Sequence, residues 1–313
     1  MALVPRSIRL SVLQLLVTAA LLATGCGPAA KPKLVIAVQP TANPQQLSAE
    51  SKEIEAFLES RLPDYDIELR VPTLYAGVVE ALRFDNAQAA FMSAWPAALA
   101  VKRAGAEVAL GEVREVVIGE EKQERPYYFS YWVVPKGSRY QSLAELKGKR
   151  VAFPSPLSTS GYVMPMARLV ELGYVTPGSG EADPKQFFGE VIFAGGYAQA
   201  WEAVKKGQAD VAIIAGDVPE SLYRDVLAAT RVLEQQGPIP SHVVVFGKGL
   251  AEPARTQLKN ALLELGDPAR RGMMRKFISG IFVRFQETNA DQHLGSLSKA
   301  LVATNAQFTE RMR

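Results

Sequence analysis

Residues 150–170 read RVAFPSPLSTSGYVMPMARLV. Arg150 to Phe153 forms a short apolar run of the kind that becomes a buried strand, and from Gly161 to Leu172 the apolar residues recur at helical spacing. Ser158, Thr159, Ser160 and Gly161 sit where strand gives way to helix, so three hydroxyls and several unpaired backbone N–H groups meet at one point. A helix leaves its first N–H groups without internal partners and carries partial positive charge at that end, which suits an oxyanion without any formal cation. Pro165 agrees, because proline near a helix start removes an N–H that has little use there. Taken alone, Ser158 or Thr159 reads better as an ordinary helix cap, so only the surrounding sequence can reverse that.

The strand-then-helix unit repeats on both sides. Before it come a strand at Lys33–Val38, a helix from about Ser48 to Leu62, a strand at Tyr65–Val71, a helix at Tyr75–Phe84, a strand at Ala89–Met92 and a helix at Trp95–Ala104. A long strand, Tyr127–Val134, opens a second series, in which Ser142 with Glu145 reads as a capping box ahead of residues 150–172. A strand at Val191–Ala194, a helix at Ala198–Lys206, a strand at Asp210–Ala215 and an apolar strand at Ser241–Phe246 follow. Glu252–Leu265 and several stretches up to Phe308 read as amphipathic helices, and no strand is expected after Phe246. Alternation of this kind predicts an α/β fold with mostly parallel sheets flanked by helices. Two such series, joined by strands near residues 130 and 243, predict two lobes between which the chain crosses and returns: 27–131 with 244–313 as the first, 132–243 as the second. The expected ligand site is the cleft between them.

At 313 residues the chain suits two ordinary domains, and its 48% hydrophobic content fits a fully folded protein. Residues 1–26 stand apart. Arg6 and Arg9 precede an apolar stretch, Leu10–Ala23, and then Thr24, Gly25 and Cys26, which is an export signal in form. At about 1.5 Å per residue that stretch reaches roughly 21 Å, short of the roughly 30 Å hydrocarbon core, so it reads as a cleaved leader before it reads as a permanent span. Cys26, the one cysteine of the chain, stands where a bacterial lipoprotein carries its acylated cysteine, although Ala23 replaces the usual leucine three places earlier. The rest of the chain therefore needs no disulfide and no cysteine-ligated metal. The leader takes two of the 35 basic residues and none of the 32 acidic ones, leaving 33 against 32. That balance, with no basic tract carrying interleaved aromatics, gives no case for nucleic acid.

In open α/β sheets ligands lie beyond the carboxyl ends of the strands. The residues there are Tyr75, Ser93, Ser158 to Ser160, Tyr197 and Asp217, with Tyr128 on the crossover strand and His242 on the return. Each has a plainer reading. Tyr75 and Tyr128 suit core aromatics with wet hydroxyls, Tyr197 sits in a Gly195–Gly196 turn, and Asp217 with Glu220 across Pro219 makes a capping box. His242 suits an ordinary partly buried side chain, and Trp95 reads as packing.

The run Ser158, Thr159, Ser160, Gly161 with Pro165, and the run Tyr75, Ala76, Gly77 with Ala81, Leu82, Arg83 and Phe84, resemble motifs of the phosphate, phosphite and phosphonate-binding proteins of ABC transporters. Ser142–Gly148 and Gly196–Leu222 extend the resemblance over most of the chain past the leader. It implies a two-lobed periplasmic-binding-protein fold of type II. It also implies that Ser158, Thr159 and Ser160, with the adjacent N–H groups including Gly161, hold the phosphorus oxygens, and that the hydroxyls of Tyr75 and Tyr128 assist. Three positions depart from the pattern: Tyr197 where histidine is frequent, Asp217 where aminophosphonate binders have glutamate, and His242 where they have a second acid. Two carboxylates hold an ammonium best, so these departures disfavour an aminoalkylphosphonate. Asp217 instead suits a protonated P–OH, which points to phosphite, phosphate or a small phosphonate with an uncharged tail.

The implied mechanism is capture by lobe closure and delivery to an ABC permease and its ATPase by a monomeric lipoprotein in the periplasm or at the cell surface, with no cofactor, metal or catalytic residue. Two other readings stay open at this point. A sensor kinase as partner needs the same closing cleft, and a phosphatase-type enzyme would need His242 to stand beside the serines.

Overall fold

The computed structural model describes residues 30–39, 44–72, 75–118, 121–156, 158–218, 220–277 and 279–306. The leader and Cys26 lie outside them, as do the side chains of residues 44–48, 75–76 and 220–221. The described strands are, in order, β1 Lys33–Val38, β2 Asp66–Arg70, β3 Ala89–Met92, β4 Glu107–Ile118, β5 Glu121–Arg125, β6 Tyr127–Pro135, β7 Arg150–Phe153, β8 Glu190–Phe193, β9 Val211–Ala215, β10 Thr230–Pro240, β11 Val243–Phe246 and β12 Phe282–Glu287.

They form two sheets. The first runs β12-β4-β11-β3-β1-β2 with β5 added to β4, and the second runs β10-β6-β9-β7-β8. Parallel pairing joins β1 to β2 and β3, and β7 to β8 and β9. Leu34 to Val38 are all buried, as a central parallel strand covered on both faces requires. The predicted α/β architecture is present, but the sheets are mixed and not mostly parallel: β3-β1-β2 and β9-β7-β8 pair in parallel, whereas the strands of the crossing and returning segments enter in the opposite direction and pair antiparallel.

The chain leaves the first sheet after β5 and returns after β10. The two crossings lie side by side: Ser241 N–H donates to the Pro126 carbonyl at 3.1 Å, and Glu112 N–H donates to the His242 carbonyl at 2.8 Å. Ser241 Oγ also donates to the Glu112 carbonyl, and His293 Nε2 meets the Ser241 carbonyl at 3.0 Å. All of β6 belongs to the second sheet and Val243 to the first, so both crossings fall a few residues before the divisions expected at 131 and 244. The last helix, Ala290–Thr304, lies against the second lobe's helix Met164–Glu171 and β10, and also against helix Ala94–Leu99 of the first. It therefore spans both.

Three expectations are corrected. Residues 282–287 are the strand β12, not helix, because Phe282, Val283 and Phe285 find a neighbour in β4. Ser142 does not cap backbone. Its hydroxyl bonds to the Glu145 carboxylate at 2.9 Å, and only a short 3₁₀ turn, Leu143–Leu146, comes after it. The helix after β7 begins as a wide π-type turn, Thr159–Val163, before the α-helix Met164–Glu171.

Candidate functional site

A cleft of about 860 Å3 opens between the sheets at the carboxyl ends of the parallel strands. Gln39 follows β1, Ser93 follows β3, Pro154 and Ser155 follow β7, Gly195 and Gly196 follow β8, and Asp217 follows β9, and all of them line it. Tyr128, Ser158, Thr159, Ser160, Tyr197 and His242 line it too. The strand-end rule thus brings together the predicted residues whose side chains are described, apart from Gly161. Tyr75 is the first residue of helix Tyr75–Arg83, and its side chain lies outside the described residues.

Gly161 stands behind the wall. A Cβ there would lie 2.1 Å from Pro154 Cγ and 2.8 Å from Ser158 Oγ, so only glycine lets the turn close onto Pro154. Gly161 N–H donates to Ser158 Oγ at 2.9 Å, which makes Ser158 the N-cap. The preceding N–H groups, Thr159 and Ser160, have no acceptor within the helix. The floor is aromatic: Phe153 is fully buried and meets the Tyr162 ring edge-on at 5.2 Å. That packing fixes the first turn.

The hydroxyls are linked. Tyr128 donates to Ser160 Oγ at 3.1 Å, Ser160 Oγ and the Tyr197 hydroxyl are 2.6 Å apart, and Ser158 Oγ lies 3.4 Å from that same hydroxyl. Burial pushes the Tyr128 pKa well above its usual value, with Asp217 adding to the effect, so it stays a proton donor. Thr159 Oγ1 accepts from Trp95 N–H at 3.4 Å, which joins the second lobe to the start of helix Ala94–Leu99 in the first. The Trp95 side chain is buried, as packing requires.

The sequence reading misses the basic side chains of the cleft, Arg114, Lys122 and Arg275. Arg114, on β4, lines the cleft with its side chain 3% exposed, between Glu112 at 2.7 Å and Asp217 at 3.1 Å. Glu112 comes from the same strand face two residues earlier, whereas Asp217 reaches across from the second lobe. The expected anion site without a formal cation therefore has a guanidinium beside it, largely neutralised by its own acids. Asp217 Oδ2 is turned toward that guanidinium and accepts from it at 3.1 Å. Among the described residues, Glu112 Oε1, Arg114 Nε and Asp217 Oδ1 are buried without a hydrogen-bond partner.

Burial raises the pKa of both carboxyls. Arg114 opposes that shift in each, and the Tyr128 hydroxyl also favours ionised Asp217. Burial works against the Arg114 charge, but Glu112 and Asp217 outweigh it and push its pKa up. His242 is partly exposed on the cleft wall, and burial of its ring, the Arg114 charge and His293 hold its pKa well below the usual imidazole value. It is a neutral imidazole at physiological pH. No cluster of three His, Cys, Asp or Glu side chains suited to a metal occurs among the described residues.

A family profile for the periplasmic substrate-binding protein of phosphonate ABC transporters matches residues 36–293. A phosphate-import protein, PhnD, of Mycolicibacterium smegmatis is 30% identical over 202 residues, which are 61% of this chain and 60% of that protein's length. Two solved structures share the fold. The binding component of an ABC phosphonate transporter from Pseudomonas aeruginosa is 20% identical, with a TM-score of 0.67 over 90% of this chain and 92% of that one. PhnD1 of Prochlorococcus marinus, solved with methylphosphonate, is 17% identical, with a TM-score of 0.65 over 87% and 98%.

Proposed function

This chain belongs to the phosphonate family of periplasmic substrate-binding proteins of ABC transporters, and from that premise we propose that it captures phosphite, phosphate or a small phosphonate with an uncharged tail outside the cytoplasm. It then hands the ligand to a permease and ATPase. The carrying observation is the convergence of the Ser158–Ser160 turn with the Tyr128 and Tyr197 hydroxyls in the cleft between the sheets.

In this reading the N–H groups of Thr159 and Ser160 and the nearby hydroxyls hold the phosphorus oxygens, with Tyr75 supplying a further hydroxyl. Asp217 Oδ1, buried and without a partner, accepts a hydrogen bond from a P–OH of the ligand. Glu112 adds a second carboxylate near Asp217, as an ammonium pocket would need. The Arg114 guanidinium already stands between the two acids, so an ammonium arriving there meets a cation. The lobes are the two sheets with their helices, hinged where the crossings run together at Pro126 and Ser241. Cleavage ahead of Cys26 and its acylation would anchor the protein as a monomer to the membrane.

Calorimetry with phosphite, phosphate, methylphosphonate and 2-aminoethylphosphonate between pH 6 and 9 tests the reading. Stronger binding of the aminophosphonate than of the other three refutes it, and so does the absence of binding to all four.

A further inference from the structure

The cleft is much larger than its anion clamp. At about 860 Å3 it falls in the range of about 300–1,000 Å3 that accepts drug-sized ligands, whereas phosphite, phosphate and methylphosphonate are far smaller. The space does not come from lobes held apart. Two bonds already cross between them, Arg114 to Asp217 and Trp95 to Thr159.

Away from the clamp, the wall is formed by the segment before β12: Arg275 from helix Arg271–Phe277, with Ser279, Gly280 and Ile281. Arg275 is half-buried, and its Nε donates to the Phe282 carbonyl at 2.9 Å, which fixes the plane of the guanidinium. Among the described residues it makes no ion pair. Lys122 lines the same wall, but Glu115 stands 3.1 Å from it and offsets its charge. The cleft therefore carries a second cationic centre, pre-oriented by the backbone and open to an acid, besides the already paired Arg114.

We propose that Arg275 forms a second anion subsite in the cleft, so that the protein also takes phosphonates or phosphate esters whose tail ends in a second anionic group, the phosphorus head in the Ser158–Ser160 clamp and the tail carboxylate or phosphate on the Arg275 guanidinium. This rests on the proposed function for the head. A planar guanidinium held by one nitrogen presents its other two to a carboxylate side by side, the geometry that favours two parallel hydrogen bonds.

The experiment is calorimetry of the full chain with methylphosphonate and a series of ω-phosphonocarboxylates with one to five methylenes, on wild type, Arg275→Gln and Arg275→Lys. Expected is an optimum chain length that binds wild type more tightly than methylphosphonate. That preference should fall about tenfold or more in Arg275→Gln and be partly kept in Arg275→Lys. If methylphosphonate binds but no phosphonocarboxylate exceeds it, or if the preference is the same in Arg275→Gln, the subsite is refuted while the head reading stands. If neither methylphosphonate nor phosphate binds wild type, the head reading itself fails. Matching melting temperatures for the three proteins exclude misfolding as the cause.

Discussion

Replacing Arg114 with methionine tests the electrostatics of the cleft most directly. The guanidinium lies 2.7 Å from Glu112 and 3.1 Å from Asp217, and the three side chains are 3%, 1% and 14% exposed. A charge pair at about 4 Å gains roughly 4 kcal/mol at an effective dielectric of about 20. Burying an ion costs several kcal/mol, and removing one partner of a buried pair costs about 3–5 kcal/mol. Two acids lose their partner here, yet the total stays near that range because each carboxyl escapes its unpaired charge by taking a proton. At about 2–4 °C per kcal/mol, the melting temperature should fall by roughly 6–20 °C at pH 7.5. The pH dependence is the sharper signature. Burial already raises both carboxyls, and Arg114 is what restrains the rise. Without it their folded pKa values climb further. A carboxyl raised on folding contributes its full stability below the unfolded range near pH 4 and loses it as pH rises through the folded value. The gap between variant and wild type should therefore be small at pH 4.5 and full by pH 7.5, read by thermal melts across that interval. The triple variant Glu112→Gln, Arg114→Met, Asp217→Asn should recover most of the loss, since it buries no charge. A gap that does not change with pH, or no gap at all, refutes the reasoning.

Thr159→Ala removes one hydroxyl contact to an ionised ligand and should cost about 1.5–3 kcal/mol of affinity, roughly 10- to 150-fold by calorimetry; unchanged affinity refutes the placement of the clamp. Gly161→Ala forces a Cβ to 2.1 Å from Pro154 Cγ. Overpacking of that kind costs about 1–3 kcal/mol, so melting temperature and phosphate affinity should fall together, and wild-type values for both would show the approach to be unimportant. For Asp217→Asn, phosphate binding should lose the decline that wild type shows as the ligand gives up its second proton, because an amide also donates to a dianion; identical pH profiles would rule out the acceptor role. The His242 ring, held neutral, should give no imidazolium signal in 15N NMR between pH 8 and 6, and a titration step near 6.5 would contradict its burial beside Arg114.

Strands made of short apolar runs are legible to the residue: Lys33–Val38, Ala89–Met92 and Arg150–Phe153 form as read. Four strands are not. β4 carries Glu107, Glu112, Arg114 and Glu115, and a buried strand with that many charges shows no apolar pattern. Pairing makes it tolerable: Glu112 and Arg114 share a face two residues apart, and Asp217 arrives from the other lobe. β5 has no apolar residue at all. β10 holds Gly237, Pro238 and Pro240 and reads as loop, which its register shifts and edge position accommodate. β12 reads as helix in the sequence because six residues beside true helices give too little period to separate the two.

The site divides along the same line. Hydroxyls and helix starts are local, so Ser158 to Ser160, Tyr197 and Asp217 are found from their positions just past the carboxyl ends of strands. Arg114 lies within a strand, and its meaning depends on a carboxylate a hundred residues away. Its presence changes what the clamp has to do. An unshielded arginine would bind any oxyanion and reward full ionisation. With Glu112 and Asp217 both ionised, the cluster carries net negative charge, so a fully ionised ligand gains nothing from it overall. Attraction is left to neutral donors, and the partnerless oxygen of Asp217 rewards a ligand that still carries a proton. The pair that crosses between the lobes thus ties closure and the choice of protonation state to the same two side chains, Arg114 and Asp217.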